Sequence, residues 1–155
     1  MLIVDDSAAM REIIRSVLTA FGIQSVHQAS TASTAVAVLR DYPVDVMIVD
    51  WNMQPVDGLA LVKYVRDQDK SPNPYLPVIM LTSYTERQRI FLARDTGVTE
   101  FVAKPFRSQA LYQRLVSIIN RPRPFVRTKS FFGPDRRTSK NTHEGEERRE
   151  AQPIS

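Results

Sequence analysis

Two hydrophobic periodicities alternate along the first 120 residues. Leu2, Ile3 and Val4 form a short apolar run, read as a strand over 2–6 that ends in two acids, Asp5 and Asp6. Met10, Ile13, Ile14, Val17, Leu18 and Phe21 then recur at helical spacing, with Ser7 placed as N-cap and Gly22 as stop. A weak strand is predicted around residues 25–29, and Ala32, Ala35, Val36 and Leu39 mark a helix that Pro43 closes. The run DVMIVDW is almost continuously apolar, as in a strand covered on both faces, and it ends at Asp50. Leu59, Val62 and Val65 share one face of a helix over 58–66, and LPVIMLTS predicts a buried strand ending at Thr82. A helix from about 85 to 95 stops near Gly97, TEFVAK predicts a fifth strand, and Leu111, Leu115, Ile118 and Ile119 line a fifth helix.

Five strands alternating with five helices imply an α/β fold, a parallel sheet covered by helices on both faces and joined by right-handed crossovers. A doubly wound, flavodoxin-like five-stranded sheet has the order 2-1-3-4-5 and holds its ligand at the carboxyl ends of strands 1 and 3. Asp5 and Asp6 end strand 1 and Asp50 ends strand 3, so the pattern brings three carboxylates to the topological switch point. Taken singly, each is an ordinary strand-end or turn acid. Together they are frustrated unless a cation neutralises them, and hard carboxylate oxygens favour Mg²⁺. Thr82 and Lys104, at the ends of strands 4 and 5, add a hydroxyl and an ammonium to the same rim. Metal, cation, hydroxyl and an acceptor carboxylate are the parts of a phosphoryl site.

Composition narrows the field. The 155 residues contain no cysteine, which excludes a disulfide framework or a thiolate zinc site. No apolar run is long enough for a membrane span, and no signal-peptide pattern opens the chain, so the cytoplasm is the expected compartment. The net charge of +4 hints at nucleic acid until it is divided. Residues 1–120 carry 12 basic and 12 acidic side chains, and residues 121–155 carry 9 and 5, so the excess belongs to the tail. A specific nucleic-acid-binding core is therefore disfavoured.

The segments VDDS, DVMIVDWNM with VDG shortly after, PVIMLTS and FVAKPF occur in the order found in the receiver domain of two-component response regulators. The chain resembles that family over about residues 1–120. The resemblance implies that Asp50 accepts a phosphoryl group from a histidine kinase or phosphotransfer protein. It implies Mg²⁺ held by Asp6, Asp50 and the backbone carbonyl of Asn52, with Asp5 acting mostly through a water. It pairs Lys104 with the acceptor or its phosphate, gives Thr82 a hydrogen bond to the phosphoryl group, and makes Phe101 the aromatic that swings with Thr82. It also implies a cis Lys104–Pro105 peptide.

Two departures stand out, one in the loop after Asp50 and one at the start, and Tyr84 bears on dephosphorylation. Gln54 precedes Pro55 where the family has proline directly after the methionine, so the loop is expected to take a different path. Tyr84 is expected to overhang the phosphate with Asn52 and to slow dephosphorylation. The first strand begins at Met1, which suggests a natively short start or residues upstream. Trp51 and Met53 read as local packing, with Trp51 a fluorescence reporter if exposed. Phe101 reads as core and switch together. His27 and His143 have no partners at ligand spacing and read as structural or solvated.

Residues 121–155 are rich in proline, arginine and polar side chains without apolar periodicity, and most are expected to be disordered. Within them, Phe125, Phe131 and Phe132 precede a Gly133–Pro134–Asp135 turn and two arginines. Either these phenylalanines fold back to cover the fifth helix, or they form a docking motif for a partner. The leading expectation is a single-domain response regulator, monomeric or dimerising on phosphorylation. It is not an enzyme beyond its own phosphorylation and dephosphorylation, and it switches binding to a downstream protein. A phosphate sink or relay uses the same residues. A haloacid-dehalogenase-like phosphatase fits poorly, because DDSAA lacks the second aspartate two residues on.

Overall fold

The computed structural model describes residues 1–83 and 89–136 and the backbone of 152–154. The strands β1 (Leu2–Val4), β2 (His27–Ala29), β3 (Met47–Asp50), β4 (Val78–Thr82) and β5 (Glu100–Ala103) form one parallel sheet in the order β2-β1-β3-β4-β5. Between and after them run α1 (Ala8–Ala20), α2 (Ala32–Asp41), α3 (Gly58–Arg66), α4 (Ile90–Thr96) and α5 (Ser108–Asn120). This is the doubly wound order expected from the sequence.

The apolar runs are continuous because both faces of the sheet are covered. Leu2, Val4, Met47, Val49, Val78 and Met80 point to one side, where residues of α2, α3 and α4 pack on them. Ile3, Ile48, Ile79, Leu81 and Val102 point to the other, against Ile14 and Leu18 of α1 and Leu111 and Leu115 of α5. Each such side chain, fully buried, contributes roughly 1.5–3 kcal/mol of transfer free energy. Of the predicted α1 face, Ile13 turns out to be half exposed.

Among the described residues, three of the five helix starts are set by capping side chains, those of α1, α2 and α3. Ser7 accepts from the Met10 N–H at 3.2 Å, Thr31 from Thr34 at 3.1 Å and Asp57 from Ala60 at 3.0 Å. α4 ends at Gly97, whose φ of +114° is the left-handed conformation that favours glycine.

The tail adds a second, small sheet. β6 (Phe125–Arg127) and β7 (Phe132–Pro134) form an antiparallel hairpin, and β8 (Gln152–Ile154) pairs with the other edge of β6. The hairpin falls in the phenylalanine-bearing stretch that stands apart from the rest of the tail in the sequence. The phenylalanines do fold back, but onto the ends of α3 and α4 and the Tyr75 loop rather than along α5. Phe125 lies tilted and Phe132 edge-on to Tyr75, at centroid distances of 5.0 and 5.5 Å. Tyr84 and His143 lie outside the described residues.

Candidate functional site

Parallel strands that start in register also end together, so the residues just past β1, β3, β4 and β5 share one rim. Asp5 and Asp6 follow β1, Asp50 closes β3, Thr82 closes β4, and Lys104 follows β5. Backbone bonds lock this rim. The Asp5 N–H donates to the Ala29 carbonyl at 3.1 Å, Trp51 to Leu81 at 3.1 Å, and Lys104 to Thr82 at 2.7 Å. The Lys104–Pro105 peptide is cis, as the resemblance implied, and so is Gln54–Pro55, which the sequence did not reveal.

Carboxylate oxygens of Asp5, Asp6 and Asp50 lie within 4.8 Å of one another. Asp5 and Asp50 are buried and Asp6 is exposed. Lys104 Nζ sits 2.9 Å from Asp50 Oδ1 and, partly exposed itself, closes one side of the cluster. Burial pushes the Asp50 carboxyl above its ordinary pKa, the hydrogen bond and charge of Lys104 pull it back, Asp6 pushes it up again, and the Asn52 N–H favours the anion. Asp5 is also raised, first by burial and then by the Asp50 charge, against a hydrogen bond from the Ser7 N–H at 2.9 Å. Its other oxygen, Oδ2, is buried with no hydrogen-bond partner among the described residues. An orphaned buried carboxylate oxygen beside two further acids and one lysine is a donor set that suits a hard divalent cation.

The remaining candidates are placed as follows. Thr82 is buried at the end of β4, one strand from Asp50. Asn52 is exposed at the mouth, with its N–H on the Asp50 carboxylate. Phe101, partly buried, packs against the α2–α3–α4 side of the core and lines a groove of about 430 Å³ with Pro105, Phe106 and Gln109. Trp51 is 1% exposed, so it does not face solvent beside the acids. The Arg89 guanidinium stacks over its ring at 4.8 Å. His27 stacks on Tyr42 at 4.4 Å, away from the rim.

Three participants escaped the sequence reading. Gly58 opens α3 against the backbone of Asp50, and its N–H bonds the Trp51 carbonyl at 2.8 Å. The VDG triplet was visible, but the close approach was not. Arg11 Nη1 donates to the Asp5 carbonyl at 2.7 Å and holds the β1–α1 turn. Arg89 had no signal at all, because nothing in its sequence neighbours marks it as a partner of Trp51.

The profile of one family, described as "Response regulator receiver domain", matches residues 1–116. Chemotaxis protein CheY of Pseudomonas aeruginosa is 35% identical over 120 residues, covering 77% of this chain and 95% of that protein. Among solved structures, CheY4 of Vibrio cholerae superposes with a TM-score of 0.66 at 32% identity, over 74% of this chain and 92% of that one. The receiver domain of NtrX from Brucella abortus reaches a TM-score of 0.70 at 26% identity, over 77% and 98% respectively.

Proposed function

The chain belongs to the response regulator receiver family, and from that premise we propose that it is a phosphorylation-controlled binding module with Asp50 as its phosphoacceptor. The observation that carries this reading is the pairing of Asp50 with Lys104 at 2.9 Å inside a cluster of three carboxylates. In the step proposed, an Asp50 carboxylate oxygen forms a bond to phosphorus. The bond from phosphorus to the donor breaks, and its electron pair leaves with the imidazole of a phosphohistidine or the acetate of acetyl phosphate. The acceptor becomes an acyl phosphate. Such transfer needs positioning and charge neutralisation more than covalent machinery.

Each residue has a defined task in this reading. Lys104 moves from the carboxylate to the new phosphoryl oxygens, where its charge offsets theirs. The Thr82 hydroxyl donates to another of those oxygens, and the Asn52 N–H holds the acceptor in place. Asp5, Asp6, Asp50 and the Asn52 carbonyl would hold Mg²⁺, which when bound supplies charge neutralisation for the phosphoryl oxygens. The chain acts on its own aspartate rather than on a released substrate, so it is proposed as a switch and not as an enzyme in the ordinary sense. A histidine kinase or phosphotransfer protein is the proposed donor.

Output is assigned to the face built by α4, β5 and α5. Phe91 and Leu92 are 68% and 53% exposed on α4, and Phe101 of β5 lines a groove with residues of the start of α5. An apolar face of this kind favours partner binding over a phosphate sink. The lysine partner is Asp50 at the end of the third strand, which also argues against a dehalogenase-like phosphatase with its nucleophile after the first. The test is intact mass after acetyl phosphate and Mg²⁺. One phosphoryl group is expected on the wild type and none on Asp50→Asn; an unmodified wild type would refute the proposal.

A further inference from the structure

The hairpin of β6 and β7 has no task in the reading above, yet it is built onto the receiver by specific contacts. It covers the end of the sheet remote from Asp50, beside Pro77, Thr99 and Glu100 at the starts of β4 and β5. The Phe125 ring lies 5.0 Å from the guanidinium carbon of Arg66, a buried cation with no carboxylate partner among the described residues. Arg123 reaches the buried Glu100 at 3.6 Å.

The tightest contacts are with the end of α4. A Cβ on Gly133 would come within 3.2 Å of the Gly97 Cα and 2.9 Å of the Phe131 ring, so the two glycine backbones pack closely and an added methyl must push one of them or the ring. Arg136 pairs with Asp95 at 2.6 Å and lies over the Phe131 ring at 4.5 Å. Arg94 in turn donates to the Arg136 carbonyl. These contacts draw on Arg94, Asp95 and Gly97, three of the last four positions in and just after a helix only seven residues long.

Among the described residues, α4 is otherwise held by Ala93 in the core and by the bond from Arg66 to the Gly97 carbonyl at 2.9 Å. Ala93 is its buried residue, while Phe91 and Leu92 face outward. At its start, Arg89 stacks on Trp51, the residue directly after Asp50. The helix therefore runs from the neighbour of the acceptor to the hairpin, and the chain on either side of it carries Thr82 and Lys104 to the rim. The observed position is the one in which Lys104 is still paired with Asp50. Shifting α4 requires parting Asp95 from Arg136 or separating Gly97 from Gly133, because close-packed backbone does not slide continuously.

We infer that the docked hairpin is an intramolecular clamp on α4 that opposes the switch: phosphorylation of Asp50 loosens it, and its loss makes Asp50 easier to phosphorylate. The inference rests on Asp50 being the acceptor. The two effects are one coupling free energy, so loosening in one direction implies easing in the other.

The experiment follows amide hydrogen exchange of residues 125–134 before and after loading full-length protein with Mg²⁺ and beryllofluoride, a stand-in for the phosphoryl group on the carboxylate. In parallel, intact mass gives the rate of phosphorylation by acetyl phosphate for wild type, Arg136→Ala and Gly133→Ala. The first variant removes an exposed ion pair and the second wedges the packed glycines, so the two weaken docking by different routes. Loading is expected to raise exchange in the hairpin, and both variants to phosphorylate about fivefold faster or more, the lower end of ordinary allosteric couplings. Hairpin exchange that stays level or falls on loading would overturn the clamp while leaving Asp50 as acceptor. So would variants with raised hairpin exchange that phosphorylate at the wild-type rate. Absence of mass gain in every protein would overturn the acceptor assignment, and the clamp with it.

Discussion

The backbone carbonyl oxygen of Asp50 lies where a side chain on Gly58 would have to be: a Cβ built there would sit 2.3 Å from it. The first turn of α3 is thereby pressed against the strand end that carries the acceptor, and the Gly58 N–H bonds the next carbonyl along. Even the smallest substitution, Gly58→Ala, must move either the helix or Asp50. We expect it to destabilise the fold by about 1–3 kcal/mol, the usual cost of overpacking. Phosphorylation by acetyl phosphate should slow as well. Urea unfolding and the mass-based rate test both, and wild-type values in each would show that the approach has slack.

The acids make metal-free stability depend on pH in a direction that can be worked out. Asp5 and Asp50 have pKa values raised above the ordinary 3.8, mainly by burial. The folded state therefore keeps its protons to higher pH than the unfolded chain does. Stability should fall as pH rises from about 4 through the raised values and level off above them. Mg²⁺ should offset that loss near neutrality and lose affinity as the acids protonate. Asp5→Asn should flatten the metal-free profile and weaken Mg²⁺ binding. Urea midpoints against pH, with and without Mg²⁺, give the answer; a metal-free profile that rises over this range would be contrary to the account.

Arg66 is a buried cation pulled down to about 9 by desolvation. It donates to the carbonyls of Gly97 at 2.9 Å, Pro74 at 2.9 Å and Leu76 at 2.7 Å. Arg66→Leu would leave those acceptors unpaired and is expected to cost about 2–4 kcal/mol. Arg66→Lys keeps a charge but lacks the planar fork, so it should fall between the two. Equal midpoints for wild type and the leucine variant would mean that removing the buried charge compensates for the lost bonds.

Trp51 is the single tryptophan of the chain and is 1% exposed. Its emission should be that of a buried indole, resistant to quenching by acrylamide in the native state and strongly quenched in urea. Easy quenching of the native protein would contradict the burial and the Arg89 cover.

Much of the receiver was legible because its physics is repetitive. A parallel sheet buried on both faces needs apolar residues at nearly every strand position, and helices that cover it need a stripe every three to four residues. DVMIVDW and the Met10-to-Phe21 stripe carry those patterns without help from distant residues. Strand order then follows from the fold class, and with it the convergence of Asp5, Asp6 and Asp50. Lys104 and Thr82 were placed by the same logic, since each sits at a strand's carboxyl end. Trp51 read as local packing or, if exposed, as a reporter beside the acids, and the packing around it with Arg89 over its ring decides for burial.

The hairpin is the opposite case. β6 and β7 are three residues each, too short for any period, and much of what holds them lies 30 or more residues earlier, in Arg66, Tyr75, Asp95 and Gly97. Arg66 reads as the polar end of an amphipathic helix until carbonyls from the loop before β4 and from Gly97 gather around it. The amino-acid sequence by itself determined the strands, the helices and the rim where the acids meet, because local periodicity and parallel topology suffice for those. Only the tertiary structure decided where the tail lies, which glycines must stay glycine and which arginine is buried, because those depend on contacts between segments that carry no mark of each other in sequence.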